Sequence, residues 1–355
     1  MSSVVRIIAL TSGVSYPSSR LRVRQCVPAL ARQGVNVQEF CPRIAQHVEL
    51  PGVLGRVRRR YLFPVVALQT AANLAGRVPA VVASRGADLA WISRTFVIGL
   101  EETVRSLRCP PILDVDDAIW LTTPRGVSAA AAFAQRMAGV IAGNAYLAEW
   151  YGRYCPNVQI VPTAVDCSRF EPPPAGTNGS FTIGWMGTSG NFGQLAIVRD
   201  AVERFLRAYP DARWLLVADR SPGWWPHGSA QHEFVRWSAA QEVHLMQRMS
   251  VGLMPLEGSP WTRGKCSYKM LQSMAVGLPV LVSPVGMNVE VLAMGECGLA
   301  AHTEEEWYSA FVALKRDEAL REALGRAGRC LVETHFDVPV IAARLAEVFR
   351  TWGDK

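Results

Sequence analysis

The stretch RGKCSYKMLQSMAVGLPVLVSP, from Arg263 to Pro284, joins a helix pattern to a strand pattern. Met270 and Met274 lie one helical turn apart and predict a buried helix face, and Gly277 predicts the end of that helix. Ser267 stands where an N-cap residue is expected. The run LPVLVS that follows is short, apolar and β-branched, which predicts a buried strand.

Three cations crowd the start of this predicted helix: Arg263, Lys265 and Lys269. A lysine in the first turn opposes the helix dipole at a cost of about 0.3 to 1 kcal/mol, unless an anion binds there. Helix N-termini bind phosphate groups readily. We therefore predict a phosphate site that includes Ser267; the alternative is a set of solvated surface cations.

Short apolar runs alternate with helical segments along the whole chain, which predicts an α/β fold with doubly wound parallel sheets. The Pro- and Gly-rich segment EPPPAGTNGS, residues 171–180, is typical of a linker. We predict one domain over residues 1–170, a second over 181–335, and a C-terminal amphipathic helix within 336–355 that packs back on the first domain.

Composition supports this organisation and narrows the class of protein. The chain has 355 residues, of which 50% are hydrophobic and 19% charged, as expected for two ordered domains. We find no secretion signal and no apolar run of membrane-spanning length, so we expect a cytoplasmic protein. The eight scattered cysteines indicate neither a disulfide framework nor a zinc site, and the net charge of +7 permits anionic partners.

Residues 253–292, LMPLEGSPWTRGKCSYKMLQSMAVGLPVLVSPVGMNVEVL, resemble the donor-binding region of the family-four retaining glycosyltransferases (glycosyl transferases group 1). The segment VPTAVDCSRFEP, residues 161–172, is similar to a second motif of that family. The resemblance implies a GT-B fold, in which two Rossmann-like domains face a cleft and the last helix returns to the first domain. It also implies that the second domain binds a nucleotide sugar.

Two departures from the family pattern indicate a divergent subgroup. The family carries two glutamates eight positions apart, and Gly264 and Gln272 occupy those positions here. Gln272 can still accept a hydrogen bond from a ribose hydroxyl. The family's basic pair after the first strand of this domain is absent as well. We predict that a loop of small residues binds phosphate there, while Arg263, Lys265 and Lys269 carry the charge; the loop residues are Gly187, Thr188, Ser189 and Asn191.

In the first domain, PPILDVDDAIW (110–120) ends a predicted strand with three aspartates and resembles a variant found in the family. We predict that Asp116, or else Asp117, orients or deprotonates the acceptor hydroxyl. The alternatives are a metal-binding acidic pair and a simple helix cap. The resemblance implies that no metal is bound, because lysine and arginine supply the positive charge.

The loop TSGVSYPSSRLRVRQ (11–25) resembles the family's first glycine-containing loop, which lies under the donor diphosphate. Gly13 allows close approach of the backbone, and Arg20 and Arg24 share one face of a predicted helix. Farther along, residues 56–68 place four arginines beside an apolar run. This pattern predicts peripheral contact with an anionic membrane; nucleic acid and an ordinary solvated helix are the competing interpretations.

The resemblance implies an enzyme that moves a sugar from a nucleoside-diphosphate sugar to a glycan or lipid-linked acceptor in bacterial glycan or glycolipid synthesis. The resemblance implies retention of configuration, with Lys269 and Lys265 stabilising the departing diphosphate. We expect a UDP- or GDP-linked donor, no further cofactor and no nucleic-acid partner. A sugar-nucleotide epimerase of the same fold and a non-catalytic nucleotide-sugar-binding subunit remain alternatives.

Overall fold

The computed structural model describes residues 4–13, 16–41, 75–93, 100–174 and 179–353, with the backbone alone at 100–102. The chain forms two compact units. The first comprises Met1–Ala164 together with Val338–Lys355, and the second comprises Val165–Asp337.

The first unit contains a six-stranded sheet in the order β2-β1-β3-β4-β5-β6. Every adjacent pair is parallel, and Ile7 in β1 faces Val37 on one side and Leu89 on the other. The strands are β1 (Val5–Leu10), β2 (Val35–Phe40), β3 (Leu89–Ser93), β4 (Pro111–Val115), β5 (Gly139–Ala142) and β6 (Val158–Ile160).

The second unit contains another six-stranded parallel sheet, in the order β12-β11-β10-β7-β8-β9. Its central strands are apolar because helices cover both faces of such a sheet. The strands are β7 (Thr182–Met186), β8 (Arg213–Ala218), β9 (His232–Arg236), β10 (Val251–Met254), β11 (Val280–Val282) and β12 (Gly298–Ala300).

Helices connect most of these strands, as is usual for parallel crossovers, whereas residues 219–231 join β8 to β9 without a helix. In the first unit they are α1 (Val27–Arg32), α2 (Val78–Ala83), α3 (Leu100–Ser106), α4 (Gly126–Ala134) and α5 (Ala145–Gly152). In the second unit they are α6 (Phe192–Leu195), α7 (Arg199–Ala208), α8 (Glu242–Gln247), α9 (Pro260–Arg263), α10 (Tyr268–Ala275), α11 (Met287–Leu292), α12 (Glu304–Arg316) and α13 (Glu318–His335).

These two sheets confirm the predicted doubly wound α/β fold. Two short strands, β9 and β12, were not predicted. The sequence of β9, HEFVR, is half-buried and mostly polar, as suits the edge of a sheet, and β12 has three residues. No helix in the described part of the chain is long and apolar enough to cross a membrane.

The helical pattern predicted after the first strand is irregular in the structure. Ser19–Val23 form a π-helical turn, Arg24–Cys26 a 3-10 turn, and a regular α-helix begins only at Val27. Single π turns often occur at functional sites. This one turns Arg22 inward, and the Arg22 side chain is buried.

The last helix, α14 (Val338–Gly353), packs against α1 and the first sheet, as predicted. Phe349 is fully buried, and its ring lies 5.1 Å from that of Trp91 in an edge-to-face arrangement. Gly139 of β5 leaves room for Trp352, because a Cβ there would lie 2.6 Å from the indole ring. A helix that is distant in sequence therefore completes the first core.

The division between the units lies at Ala164 and Val165, ahead of the predicted linker at 171–180. The Val165 amide donates to the Phe336 carbonyl at 2.8 Å, and the Cys167 amide donates to Asp337 Oδ1 at 3.1 Å. Because these bonds tie the segment to the residues after α13, residues 165–170 belong to the second unit.

Replacing Phe349 with alanine should lower the free energy of unfolding by about 3 to 5 kcal/mol, because it leaves a cavity beside Trp91. Chemical denaturation monitored by tryptophan fluorescence measures the loss. Arg344→Ala, at an exposed position of the same helix, should change stability little. Equal effects of the two variants would mean that α14 does not complete the first core.

Candidate functional site

The order of the second sheet creates a crevice beside two neighbouring strands. From β7 the chain moves to β8 and β9 on one side, and it then returns to β10 on the other side of β7. The loops that follow β7 and β10 therefore leave in opposite directions. Open α/β sheets bind ligands at such a reversal of strand order. The predicted segments 187–191 and 263–269 follow these two strands.

Lys269 of α10 crosses directly over the residue that follows β7. A Cβ at Gly187 would lie 2.6 Å from Lys269 Cε and 2.6 Å from the Trp185 ring. Lys269 Nζ is 5.7 Å from the centroid of that ring. Gly187 is therefore needed for space, and its small size allows the lysine to reach the crevice.

A pocket in this crevice brings two of the predicted cations together. Lys265 and Lys269 both line it, and Lys265 Nζ is 4.6 Å from the Trp261 ring centroid. The other lining residues are Trp185, Asn191, Gln194, Met254, Pro255 and Leu256. Two ammonium groups within a partly apolar pocket favour an anion. The Arg263 side chain is exposed and does not line this pocket.

Ser267 occupies the predicted N-cap position of α10. Its side chain, however, forms no capping hydrogen bond. The residue has a left-handed backbone with φ of 47°, and its hydroxyl donates to Asn288 Oδ1 at 2.6 Å. Asn288 in turn donates to the carbonyls of Ser283 at 2.8 Å and Met254 at 3.4 Å. The Ser267 hydroxyl is thus used to fix the start of α10 to the ends of β10 and β11.

The loop after β11 also contacts the other end of this segment, at Arg263. Gly286 has φ of 57°, and a Cβ there would lie 2.8 Å from the Arg263 carbonyl oxygen. Glycine is required both for this conformation and for this approach. The segment that carries Lys265 is consequently held at both Arg263 and Ser267 by the region that follows β11.

The loop after β7 makes contacts that differ from those predicted. The Ser189 amide donates to Asp219 Oδ1 at 2.6 Å, and its hydroxyl donates to Asp219 Oδ2 at 2.7 Å. Asn191 Nδ2 donates to Thr188 Oγ1 at 2.9 Å. Both Ser189 donors therefore bind a carboxylate, and Ser189 fixes the loop instead of offering these groups to phosphate.

These bonds help to lower the pKa of Asp219. Partial burial raises this pKa, but the hydrogen bonds from Ser189, a bond to the Asp219 backbone and the charge of Arg220 together leave it below its usual value. A carboxyl group with a lowered folded pKa stabilises the folded loop above the unfolded pKa, about 3.9. This contribution disappears as the pH falls through the lower, folded pKa.

Ser189→Ala should raise the pKa of Asp219 towards about 3.9, because the variant removes one of the two donors. Titration of the side-chain carboxyl carbon by NMR gives the pKa directly. Asn191→Ala serves as the control, since Asn191 donates to Thr188. An unchanged Asp219 pKa in the Ser189 variant would show that its hydroxyl does not support the loop.

Gln272 is buried in α10 and lines a second small pocket together with Lys269. Its Nε2 donates to Glu242 Oε1 at 3.3 Å. Glu242 also forms an ion pair with Arg169. Neither Glu242 nor Arg169 was predicted as a site residue, because the contacts join segments far apart in the chain.

In the first unit, the structure separates the roles of the three aspartates after β4. Asp114 is buried and binds Arg22 at 2.7 Å, and it also accepts from Trp91 Nε1 at 2.9 Å. Burial raises the pKa of Asp114, while Arg22 and Trp91 stabilise the charged form. Asp114 is thus part of the core. Asp116 and Asp117 follow at the carboxyl end of the strand, where ligands bind in such sheets.

The predicted loop after β1 lies at the corresponding reversal of the first sheet, between β1 and β3. Gly13 has φ of 141°, and its carbonyl accepts from Arg24 at 3.0 Å. Arg24 is also paired with Glu39 at 2.7 Å, so it supports the loop. The Arg20 amide donates to the Tyr16 carbonyl at 3.2 Å, and the Arg20 side chain is partly exposed.

Other predicted features lie elsewhere. The basic segment 56–68 is outside the described residues. Within the described ranges, no group of three or more His, Cys, Asp or Glu side chains is arranged to hold a metal ion. All eight cysteines are free thiols, and burial raises the pKa of Cys26 to about 12.

Comparisons with known proteins support the fold. Residues 180–317 match the family Glycosyl transferases group 1. No curated protein matches the sequence.

Several solved structures share the fold at low sequence identity. Sucrose-phosphate synthase from Thermosynechococcus elongatus aligns with a TM-score of 0.70 and 17% identity, covering 98% of each chain. Anabaena Alr3699/HepE in complex with UDP and glucose aligns with a TM-score of 0.68 and 15% identity, over 98% of this chain and 100% of the other. A glycosyltransferase from Rickettsia africae gives a TM-score of 0.70 at 9% identity, covering 98% of each.

Proposed function

We propose that the chain transfers a sugar from a nucleoside-diphosphate sugar to an acceptor hydroxyl, because it has the GT-B fold and its residues 180–317 match the family Glycosyl transferases group 1. The second unit binds the donor, and the first binds the acceptor. One observation carries the proposal: Lys265 and Lys269 line one pocket at the strand-order reversal between β7 and β10.

The two lysines suit the donor diphosphate for electrostatic reasons. A diphosphate brings more than one negative charge to a small volume. The ammonium groups of Lys265 and Lys269 lie beside tryptophan rings, where the local dielectric constant is low, so they attract this charge more strongly than fully solvated ammonium groups would. The pocket also contains the Asn191 side chain, which can donate to a phosphate oxygen. Arg263 adds long-range attraction from its exposed position.

The chemistry follows from this placement. The bond between the anomeric carbon and the diphosphate oxygen breaks, and the diphosphate keeps the electron pair. Lys269 and Lys265 stabilise the charge that develops on this leaving group. The acceptor oxygen forms the new bond to the anomeric carbon, and its proton passes to a donor phosphate oxygen. We propose that configuration is retained and that no metal ion takes part.

Lys269→Ala should weaken binding of a nucleoside diphosphate by about tenfold to a hundredfold and leave nucleoside binding nearly unchanged, because a charge-assisted bond is lost. Titration calorimetry with uridine, guanosine and adenosine diphosphates and their nucleosides measures both. Lys315→Ala is the matched control, since Lys315 pairs with Asp211 on another surface of the unit. Equal weakening of diphosphate and nucleoside would contradict the phosphate assignment.

On the acceptor side, we propose that Asp116 orients the attacking hydroxyl, with Asp117 as the second candidate. Both follow β4 at its carboxyl end, whereas Asp114 forms a buried ion pair with Arg22. Removing a group with this role lowers kcat but leaves the affinity for the donor unchanged.

Asp116→Asn should lower kcat by about a hundredfold, because the acceptor hydroxyl loses its alignment, while the donor Kd stays unchanged. Steady-state transfer assays and calorimetry give the two quantities. Glu149→Gln, at an exposed position in the same unit, should retain activity. A full rate in the Asp116 variant with a large loss in Asp117→Asn would move the role to Asp117.

The substrates are proposed more broadly. The neighbouring HepE structure contains UDP and glucose, which supports a UDP-linked donor, and a GDP-linked donor suits the same phosphate site. We propose a glycan or lipid-linked acceptor in bacterial glycan or glycolipid synthesis. The basic segment 56–68 would let a cytoplasmic enzyme reach such an acceptor at an anionic membrane surface.

One observation favours a second candidate, a non-catalytic nucleotide-sugar-binding subunit. Gly264 stands where the family has a glutamate, and glycine supplies no carboxylate there. Donor binding without sugar transfer and without donor hydrolysis would favour this candidate.

A further inference from the structure

We propose that Glu242 is a positioning residue for the donor: it orients the Gln272 amide so that the amide oxygen accepts a ribose hydroxyl. This inference rests on the proposed function. It assigns to α8 a carboxylate that acts indirectly, through the glutamine of α10.

The hydrogen bond between the two side chains fixes the orientation of Gln272. Gln272 Nε2 lies 3.3 Å from Glu242 Oε1. An ionised carboxylate only accepts hydrogen bonds, so the amide must present its NH₂ group to Glu242 and turn Oε1 away. Among the described residues none donates to Gln272 Oε1, and the side chain lines the pocket that it shares with Lys269.

Glu242 is itself held from three directions. It is 3% exposed, and its Oε2 forms the ion pair with Arg169. Its Oε1 accepts from Trp237 Nε1 at 3.4 Å as well as from Gln272. Breaking a buried ion pair is strongly unfavourable, so the contact with Arg169 holds the Glu242 side chain in place. The acceptor on Gln272 is therefore fixed before a ligand arrives.

A fixed acceptor selects a ligand that brings a hydroxyl donor. In a nucleoside diphosphate whose phosphates lie at Lys269, the sugar next to the phosphates carries such donors. A site that is built to bond a hydroxyl discriminates against an analogue that lacks it. The arrangement therefore predicts preference for ribonucleotides over 2′-deoxy or 3′-deoxyribonucleotides.

Calorimetry on the full chain tests this, with ribonucleoside diphosphates of the four common bases and their 2′-deoxy and 3′-deoxy counterparts as probes. The wild-type protein should bind the ribonucleotide about three- to tenfold more tightly than at least one of the deoxy forms. E242Q and Q272A should each reduce this ratio to about one. Affinity for inorganic pyrophosphate should stay unchanged in both.

An exchange variant separates positioning from general stability. E242Q/Q272E moves the carboxylate to α10, where it accepts the hydroxyl directly, while the new amide at position 242 still contacts Arg169. In this double variant, the preference for the ribonucleotide over the deoxy form should return to the wild-type value. Gln241→Ala, an exposed amide beside Glu242, should leave the ratio unchanged, and melting temperatures report any loss of folding.

The outcomes distinguish the two proposals. Nucleotide binding without any preference for ribose, or a full preference retained by well-folded E242Q, would overturn the role of Glu242 and leave the proposed function intact. A wild-type protein that binds no nucleoside diphosphate would overturn both. If E242Q fails to fold, Q272A alone decides, because it keeps the Glu242 and Arg169 pair.

Discussion

The close approach of Lys269 to Gly187 is the contact on which the candidate donor site depends. It brings the start of α10, which follows β10, over the end of β7, and these two strands are neighbours only because the strand order reverses between them. Any side chain at position 187 would displace either the lysine or the Trp185 ring. The strand order of the second sheet therefore forms the crevice, and Gly187 leaves the space that the Lys269 side chain occupies there.

Several polar contacts hold this arrangement in place. Asn288, which is fully buried, links the start of α10 with the ends of β10 and β11. On the other side of the crevice, Asp219 holds Ser189. The loops on both sides are thus fixed by their own hydrogen bonds, and Lys265 and Lys269 give the pocket its positive charge. A preorganised cationic pocket of this kind loses little energy to rearrangement when an anion binds.

The sequence was sufficient to predict the parts of the structure that depend on local pattern. Apolar periodicity identified α10 and the buried strands on each side of it, and the structure places the crowded Lys265 and Lys269 in one pocket. It could not identify Arg22, because a π-helical turn, not a regular helix, directs that side chain to Asp114. Glu242 was missed for a related reason: its contacts with Gln272 and Arg169 span 30 and 73 residues. Such pairs are set by the packing of the whole unit.

The central claim is that a diphosphate binds at the reversal between β7 and β10. A crystal structure with a nucleoside diphosphate that carries sulfur on its β-phosphate tests this directly, since anomalous scattering locates that atom. The account predicts the sulfur beside Lys269 at the start of α10, within reach of Lys265 Nζ. A well-ordered nucleotide elsewhere on the second unit, with no anomalous peak at Lys269, would contradict it.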